Sequence, residues 1–377
     1  MPERPTLYLD YNASAPLRPG VLEAILEALR DGGNASSVHR VGRRARHLVE
    51  DARARVAALV GAAPEQVVFT GSGSEANNQA LATAGGGLVL TSAIEHDSVL
   101  LAATDAARIP VDGDGRLDLG AAAALIERHR PALVSAMLVN NETGVIQPVA
   151  ELAELAHAQG ALVHCDAVQA AGRIDVDMAG LGVDLLTLSA HKLGGPQGVG
   201  ALVVRDGLEP ASLIRGGGQE RRRRAGTENV AGITGFGKAA EVLRRGQVLE
   251  GRRIEALRDR MEAALLGRIP DAVVLGGGAP RVGNTSCIAL PGRGRETQLI
   301  ALDLEGICVS AGAACSSGKV GPSHVLSAMG VGADLRASAI RVSLGHGTTD
   351  DDIDHLVEVW SRFARRTGGR MPLRRTA

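Results

Sequence analysis

No stretch of this chain reaches the roughly 18 consecutive apolar residues that a membrane helix needs. The N-terminus MPERPTLYLD has neither the apolar region of a secretion signal nor an Arg-rich amphipathic pattern. These absences lead us to expect a cytoplasmic protein with no membrane contact. An excess of one charge is missing as well: 41 Lys and Arg face 42 Asp and Glu, so the formal net charge is −1 and no global field draws nucleic acid or an anionic membrane. The four cysteines, Cys165, Cys287, Cys308 and Cys315, show no C-x-x-C spacing, which argues against a zinc site or a disulfide framework. There is no internal repeat, so a solenoid is excluded. The glycine-rich segments lack the spacing of a Walker loop or a dinucleotide fingerprint.

What is present is a balance typical of folded proteins, 45% apolar and 22% charged residues over 377 positions. That length suits one large domain with a smaller companion. Apolar residues after Pro19 predict a helix to about Arg30, and a longer helix is expected from about Gly42 to Val60. The runs VVFT, LVLTS, ARIPV, ALVSAMLV, ALVHCDAV, DLLTLSA and VGALVV then alternate with helical stretches, one of them from Asp97 to Ala106. Such alternation predicts an α/β fold with a mainly parallel sheet and ligands at the carboxyl ends of its strands. A long helix from Asn229 to about Leu266 links to a last third with strands near AVVL, NTSCIAL and AIRVSLG.

The polar residues at the strand ends are therefore the informative ones. They are Ser74, Glu95-His96, Asn140-Asn141-Glu142, His164-Cys165-Asp166 with Gln169, and Ser189-x-His191-Lys192. A lysine in a corner such as SAHKLGG is either an ordinary loop lysine or a shielded amine able to form a Schiff base. Its neighbours meet the needs of pyridoxal phosphate bound to Lys192 as an imine. Asp166 offers a carboxylate to the pyridine nitrogen. Gly73, Ser74, Ser189 and His191 offer a phosphate cradle where a helix opens from a strand. Asn141 and Gln169 can reach the phenolic oxygen, and His96 can stack on the ring and shuttle protons. The run Arg221–Arg224 reads as a solvated loop or an anion contact, with a nucleic-acid surface as the rival reading.

The motifs YLDYNASAP, FTGSGSEANN, EHDSV, NNETGVIQP, HCDAVQAAG, SAHKLGGPQGVGAL, RGGGQE, RAGTEN, SAGAACSSGKVGPSHVL and RVSLG follow one another in an order that resembles the cysteine desulfurases of iron–sulfur cluster assembly and nitrogen fixation, within the class V aminotransferase-like enzymes. The resemblance covers essentially the whole chain. It implies fold type I, with a large cofactor-binding domain over residues 15–255 and a small domain from residues 1–14 and 256–377. It further implies that Lys192 holds the cofactor, Asp166 its ring nitrogen, Asn141 and Gln169 its phenolic oxygen, and that His96 stacks on the ring. Gly73, Ser74, Ser189, His191 and Thr227 bind the phosphate, with Thr227 supplied by the second subunit of a homodimer. Gly73-Ser74 stands where relatives often carry Ala-Thr.

Cys315 distinguishes a desulfurase from a transaminase on the same scaffold. It lies in a Gly, Ala and Ser stretch expected to form a mobile loop, whereas Cys287 and Cys308 are expected in the core. The expected chemistry is that L-cysteine docks its carboxylate on Arg341, Lys192 removes the α-proton, and Cys315 takes the sulfur as a persulfide, leaving L-alanine. The sulfur then passes to an iron–sulfur scaffold or another acceptor, with Cys315 as a transient cluster ligand and no resident metal. The rivals are a transaminase or selenocysteine lyase, which dependence on the loop thiol tests, and a sulfur-relay protein without catalysis.

Overall fold

The apolar runs of the first two-thirds of the chain become the strands of one seven-stranded sheet, in a computed structural model that describes residues 6–104, 106–312 and 322–367. Strand β1 (Leu7–Tyr8) leads into helices α1 (Val21–Asp31) and α2 (Arg40–Leu59). Then come β2 (Val67–Thr70), α3 (Gly73–Ala82), β3 (Val89–Ser92), α4 (Asp97–Leu100), β4 (Ala107–Ile109), α5 (Leu119–His129) and β5 (Leu133–Met137). The alternation continues with α6 (Val149–His157), β6 (Leu162–Asp166), α7 (Met178–Leu181), β7 (Leu185–Ser189) and β8 (Gly200–Val204). After the 39-residue helix α8 (Val230–Arg268) the chain forms β9 (Val273–Leu275), β10 (Thr285–Ala289), α9 (Arg295–Asp303) and β11 (Ile307–Cys308). It closes with α10 (His324–Ala328), α11 (Ala333–Ser338), β12 (Ala339–Ser343) and α12 (Asp350–Thr367).

The strand order is β2-β8-β7-β6-β5-β3-β4. All neighbours run parallel except β8, which lies antiparallel to both β2 and β7. Residues 190–199 are too short a link for the crossover that a parallel return requires, so β8 can only turn back. Strands β5 and β7 are buried at every residue, as expected for central strands covered on both faces. A histidine inside such a sheet must be satisfied locally. His164 meets Ser135 Oγ at 2.8 Å and Thr187 Oγ1 at 3.0 Å, one on each neighbouring strand. Burial pushes its pKa down to about 4, so it stays neutral.

Helix α4 stops at Leu100, well short of the expected Ala106. The Arg108 guanidinium accounts for this by donating to the carbonyls of Leu100 (3.1 Å) and Ala103 (3.2 Å), which leaves them satisfied outside a helix. Beyond α8 an antiparallel sheet, β12-β10-β9, and the parallel pair β1-β11 enclose a second core around Leu9, Leu302, Ile340 and Trp360. Helix α8 serves both cores, placing Ile233, Phe236, Ala240 and Leu243 in the first and Ile254, Leu257, Met261 and Leu265 in the second. Cys287 is buried, but Cys308 is only half-buried, because β11 is a two-residue strand with a single partner.

Three of the four arginines in the run are held by protein acceptors. Arg221 and Arg223 donate to the Glu65 carbonyl at 3.0 and 3.2 Å, and Arg223 and Arg224 pair with Glu209 and Glu75. Glu220, Arg221 and Arg222 take positive φ angles of 45°, 56° and 69°. This strained run is fixed by buried Glu220, whose carboxylate accepts from Arg53 at 2.7 and 2.9 Å and from the Phe69 amide at 2.9 Å.

Candidate active site

The carboxyl ends of β2, β3, β5, β6 and β7 surround a cavity of about 440 Å³, within the roughly 300–1,000 Å³ range of small-ligand sites. One end is the start of α3. Ser72 caps the helix, its Oγ accepting from Glu75 N at 3.1 Å, and Glu75 Oε2 accepts from Gly71 N at 2.7 Å. The amides of Gly73 and Ser74 belong to the first turn, whose N–H groups have no partner inside the helix and lie at its positive end. A methyl on Gly73 would come within 3.2 Å of both Ser189 Cβ and Val168 Cγ2. Glycine here therefore lets the Ser189 hydroxyl on β7 stand beside the helix start, forming a seat for an anion.

Asp166, the last residue of β6, faces the same cavity and is almost fully buried. Its Oδ2 accepts from Asn77 Nδ2 at 2.8 Å and its Oδ1 from Val168 N at 3.0 Å. Lys192 follows β7 and donates from Nζ to the carbonyls of Asn12 (2.6 Å) and Ala13 (2.9 Å). The neighbouring His191 is pushed down to about pKa 4 by burial and by the Lys192 charge. It is therefore neutral, with Nδ1 3.4 Å from Ser14 Oγ.

The remaining walls carry His96, Asn141, Gln169 and Arg341, with Met137, Val139 and Val168 as apolar lining. Gln169 Nε2 donates to the Asn12 carbonyl at 3.0 Å, while its Oε1 accepts from Arg173. Burial and the nearby Arg341 charge lower the Arg173 pKa to about 9. Arg341 is held by Asp10 Oδ1 at 2.6 Å and the Asn141 carbonyl at 3.0 Å, and its buried Nε has no hydrogen-bond partner among the described residues. At the end of β3, Glu95 is fully buried, with Oε1 accepting from Ser92 Oγ and from Met137 N at 2.8 Å. Burial raises its pKa to about 8, so it holds a proton at neutral pH.

Gly73, Ser74, His96, Asn141, Asp166, Gln169, Ser189, His191, Lys192 and Arg341 thus line one cavity. Thr227 does not: it lines a separate recess with Phe69, Glu220, Arg224 and Gly226. Cys315 lies outside the described residues, although Gly312, three positions earlier, is part of the cavity wall. Asp10, Asn12, Asn77, Ser98 and Arg173 were not singled out from sequence. All but Arg173 fall inside the motifs quoted above, but their work is to hold other side chains, which residue type alone does not reveal.

The donor set fits pyridoxal phosphate. It provides an anion seat at one end, a buried carboxylate for a ring nitrogen, an amine, amide donors and apolar walls. The Aminotransferase class-V family model matches residues 7–356. The chain is 46% identical to a cysteine desulfurase of Cereibacter sphaeroides over 368 residues, 94% of each protein. It is 40% identical to the cysteine desulfurase IscS of Dictyoglomus turgidum, covering 96% of this chain and 95% of that one. Among solved structures it is similar to a NifS-like protein of Rickettsia africae, with a TM-score of 0.88, 35% identity and coverage of 96% and 99%. It is also similar to SspA in complex with cysteine, with a TM-score of 0.78, 30% identity and coverage of 90% and 99%. With these likenesses spanning nearly its full length, the chain belongs to the class-V aminotransferase family of pyridoxal phosphate enzymes, among the cysteine desulfurases.

Proposed function

We propose that this enzyme converts L-cysteine to L-alanine and moves the sulfur onto Cys315 as a persulfide. The observation that carries the reading is the convergence of Lys192, Asp166, His96, Asn141, Gln169, Arg341 and the start of α3 on one cavity. In this reading Asp166 holds the ring nitrogen of pyridoxal phosphate, Asn141 and Gln169 its phenolic oxygen, and Gly73, Ser74, Ser189 and His191 its phosphate. The bound cofactor supplies an electron sink for the substrate's Cα. Lys192 Nζ, oriented by the Asn12 and Ala13 carbonyls, takes the α-proton. Arg341, steadied by Asp10, receives the substrate carboxylate. The Cys315 thiolate attacks the substrate sulfur; the S–S bond forms as the C–S bond breaks, the C–S electron pair stays with the carbon skeleton, and protonation of that carbon gives alanine.

Two further elements belong to the same reading. The protein acts as a homodimer in which Thr227 reaches the neighbouring subunit's phosphate; its place in a recess separate from the cavity of its own chain supports this. So does an apolar stripe on α1, where Leu22, Leu26 and Leu29 are 50%, 40% and 63% exposed. The chain divides into residues 15–255 and residues 1–14 with 256–377, and it works in the cytoplasm, handing sulfur to an iron–sulfur scaffold or another acceptor. Replacing Cys315 with Ala should leave the cofactor bound and abolish sulfide release from L-cysteine. Persistent turnover in that variant would identify a different reaction. Replacing Lys192 with Ala should remove the cofactor's characteristic visible absorption, and an unchanged spectrum would take the lysine out of its role.

A further inference from the structure

Three hydrogen bonds join the carboxylate at the end of β6 to the imidazole at the start of α4. Asn77 Nδ2 donates to Asp166 Oδ2 at 2.8 Å and also to Ser98 Oγ at 2.9 Å. Ser98 Oγ stands 2.8 Å from His96 Nδ1, and the Ser98 backbone amide donates to that same nitrogen at 3.1 Å. The direction of each bond follows from the donors available. A backbone N–H can only give, so His96 Nδ1 must accept, and it carries no proton. Ser98 Oγ already accepts from Asn77, which leaves its single proton for Nδ1. Asn77 commits its amide nitrogen to both partners and leaves Oδ1 buried without a hydrogen-bond partner among the described residues. Turning the amide over would set that oxygen against the Asp166 carboxylate. The chain of bonds therefore runs one way only.

We infer that Asn77 and Ser98 are positioning residues that tie His96 to Asp166 and fix it as the neutral Nε2–H tautomer, so that His96 acts as a hydrogen-bond donor and not as a base. The inference rests on reading the cavity as the pyridoxal phosphate site. With Nδ1 occupied by two donors, the only proton of the neutral ring sits on Nε2, and that nitrogen has no lone pair in the ring plane to accept another. Removal of the α-proton is then left to Lys192. The imidazole instead offers its N–H to the electron-rich atoms of whatever lies over the ring. Asn77 and Ser98 both line the cavity, yet neither needs to touch the reacting atoms for this.

Nitrogen NMR of the holoenzyme labelled with 15N-histidine tests the assignment, with His96→Gln identifying the His96 signals. The expected pattern is a pyridine-type Nδ1 and a pyrrole-type Nε2. A pyrrole-type Nδ1, or a doubly protonated ring, overturns the inference. Ser98→Ala removes the hydroxyl donor but keeps the backbone amide, so Nδ1 should stay pyridine-type while its signal moves toward that of a less hydrogen-bonded nitrogen. Ser98→Thr, which keeps the hydroxyl, should return it; an unmoved Nδ1 signal in Ser98→Ala overturns the part assigned to the Ser98 hydroxyl. The underlying reading fails separately. If His96→Gln leaves the cofactor's visible absorption unaltered, His96 does not lie against the cofactor, whatever its tautomer.

Discussion

Glu95 shows how much a single buried carboxyl can shape this protein's response to pH. It sits next to His96 but makes no contact with solvent, and its Oε2 has no hydrogen-bond partner among the described residues. Burial lifts its pKa from 4.5 to about 8. Between those values the folded protein keeps a proton that the unfolded chain releases, so the stabilising contribution is full below pH 4.5 and declines as pH rises toward 8. Each pH unit in that window is worth about 1.4 kcal/mol. Glu95→Gln removes the titration while keeping shape and the acceptor at Oε1. The variant should therefore gain on the parent steadily from pH 5 to pH 8 in thermal unfolding, and parallel curves would refute the assignment. Sequence placed Glu95 in a strand-end cluster. Its protonation was not legible, because it depends on complete desolvation by residues far away in the chain.

At the level of elements, the site is built by β8 as much as by the residues that line it. Gly200 pairs with Thr70 of β2 on one side and Ser189 of β7 on the other, directly beneath the start of α3. A methyl there would lie 2.5 Å from the Ser72 carbonyl carbon, 2.7 Å from its oxygen and 2.8 Å from Gly73 N. These are backbone atoms that cannot rotate away. Gly200→Ala should push the helix start off the strand, destabilise the fold by about 1–3 kcal/mol and weaken cofactor retention at least tenfold, as read by absorbance titration. Undiminished affinity would show that the first turn of α3 tolerates displacement. The parallel core of the sheet was legible because β5, β6 and β7 are short apolar runs with polar ends. The reversal of β8 was not, since VGALVV reads the same in either direction. The early end of α4 was hidden too, because it depends on Arg108 reaching back from the next strand.

For the whole molecule, the exposed leucines of α1 test the assembly. A monomer has no reason to present Leu22, Leu26 and Leu29 to water along one helical stripe, with Val38 and Val41 also exposed nearby. Changing both Leu22 and Leu26 to Glu should convert the proposed dimer to a monomer in light scattering. If Thr227 completes the neighbouring site, the same variant should lose cofactor on gel filtration. A variant that remains dimeric would show that the interface lies elsewhere. Sequence gave Thr227 a role only through resemblance, and its position in a separate recess is legible only once the chain is folded.

Helix α8 also makes the two cores mechanically dependent. At 1.5 Å per residue its 39 residues extend about 58 Å, and it has apolar faces in both cores, so neither can melt without releasing part of it. The chain's one tryptophan, Trp360, is completely buried in the second core and donates to Gln298 Oε1 at 3.0 Å. Indole emission therefore reports on one core, while cofactor absorbance reports on the other. The two optical signals should disappear at the same temperature in the parent enzyme. Gly246→Pro breaks α8 between its two apolar faces, and there the signals should part, turning one cooperative transition into two.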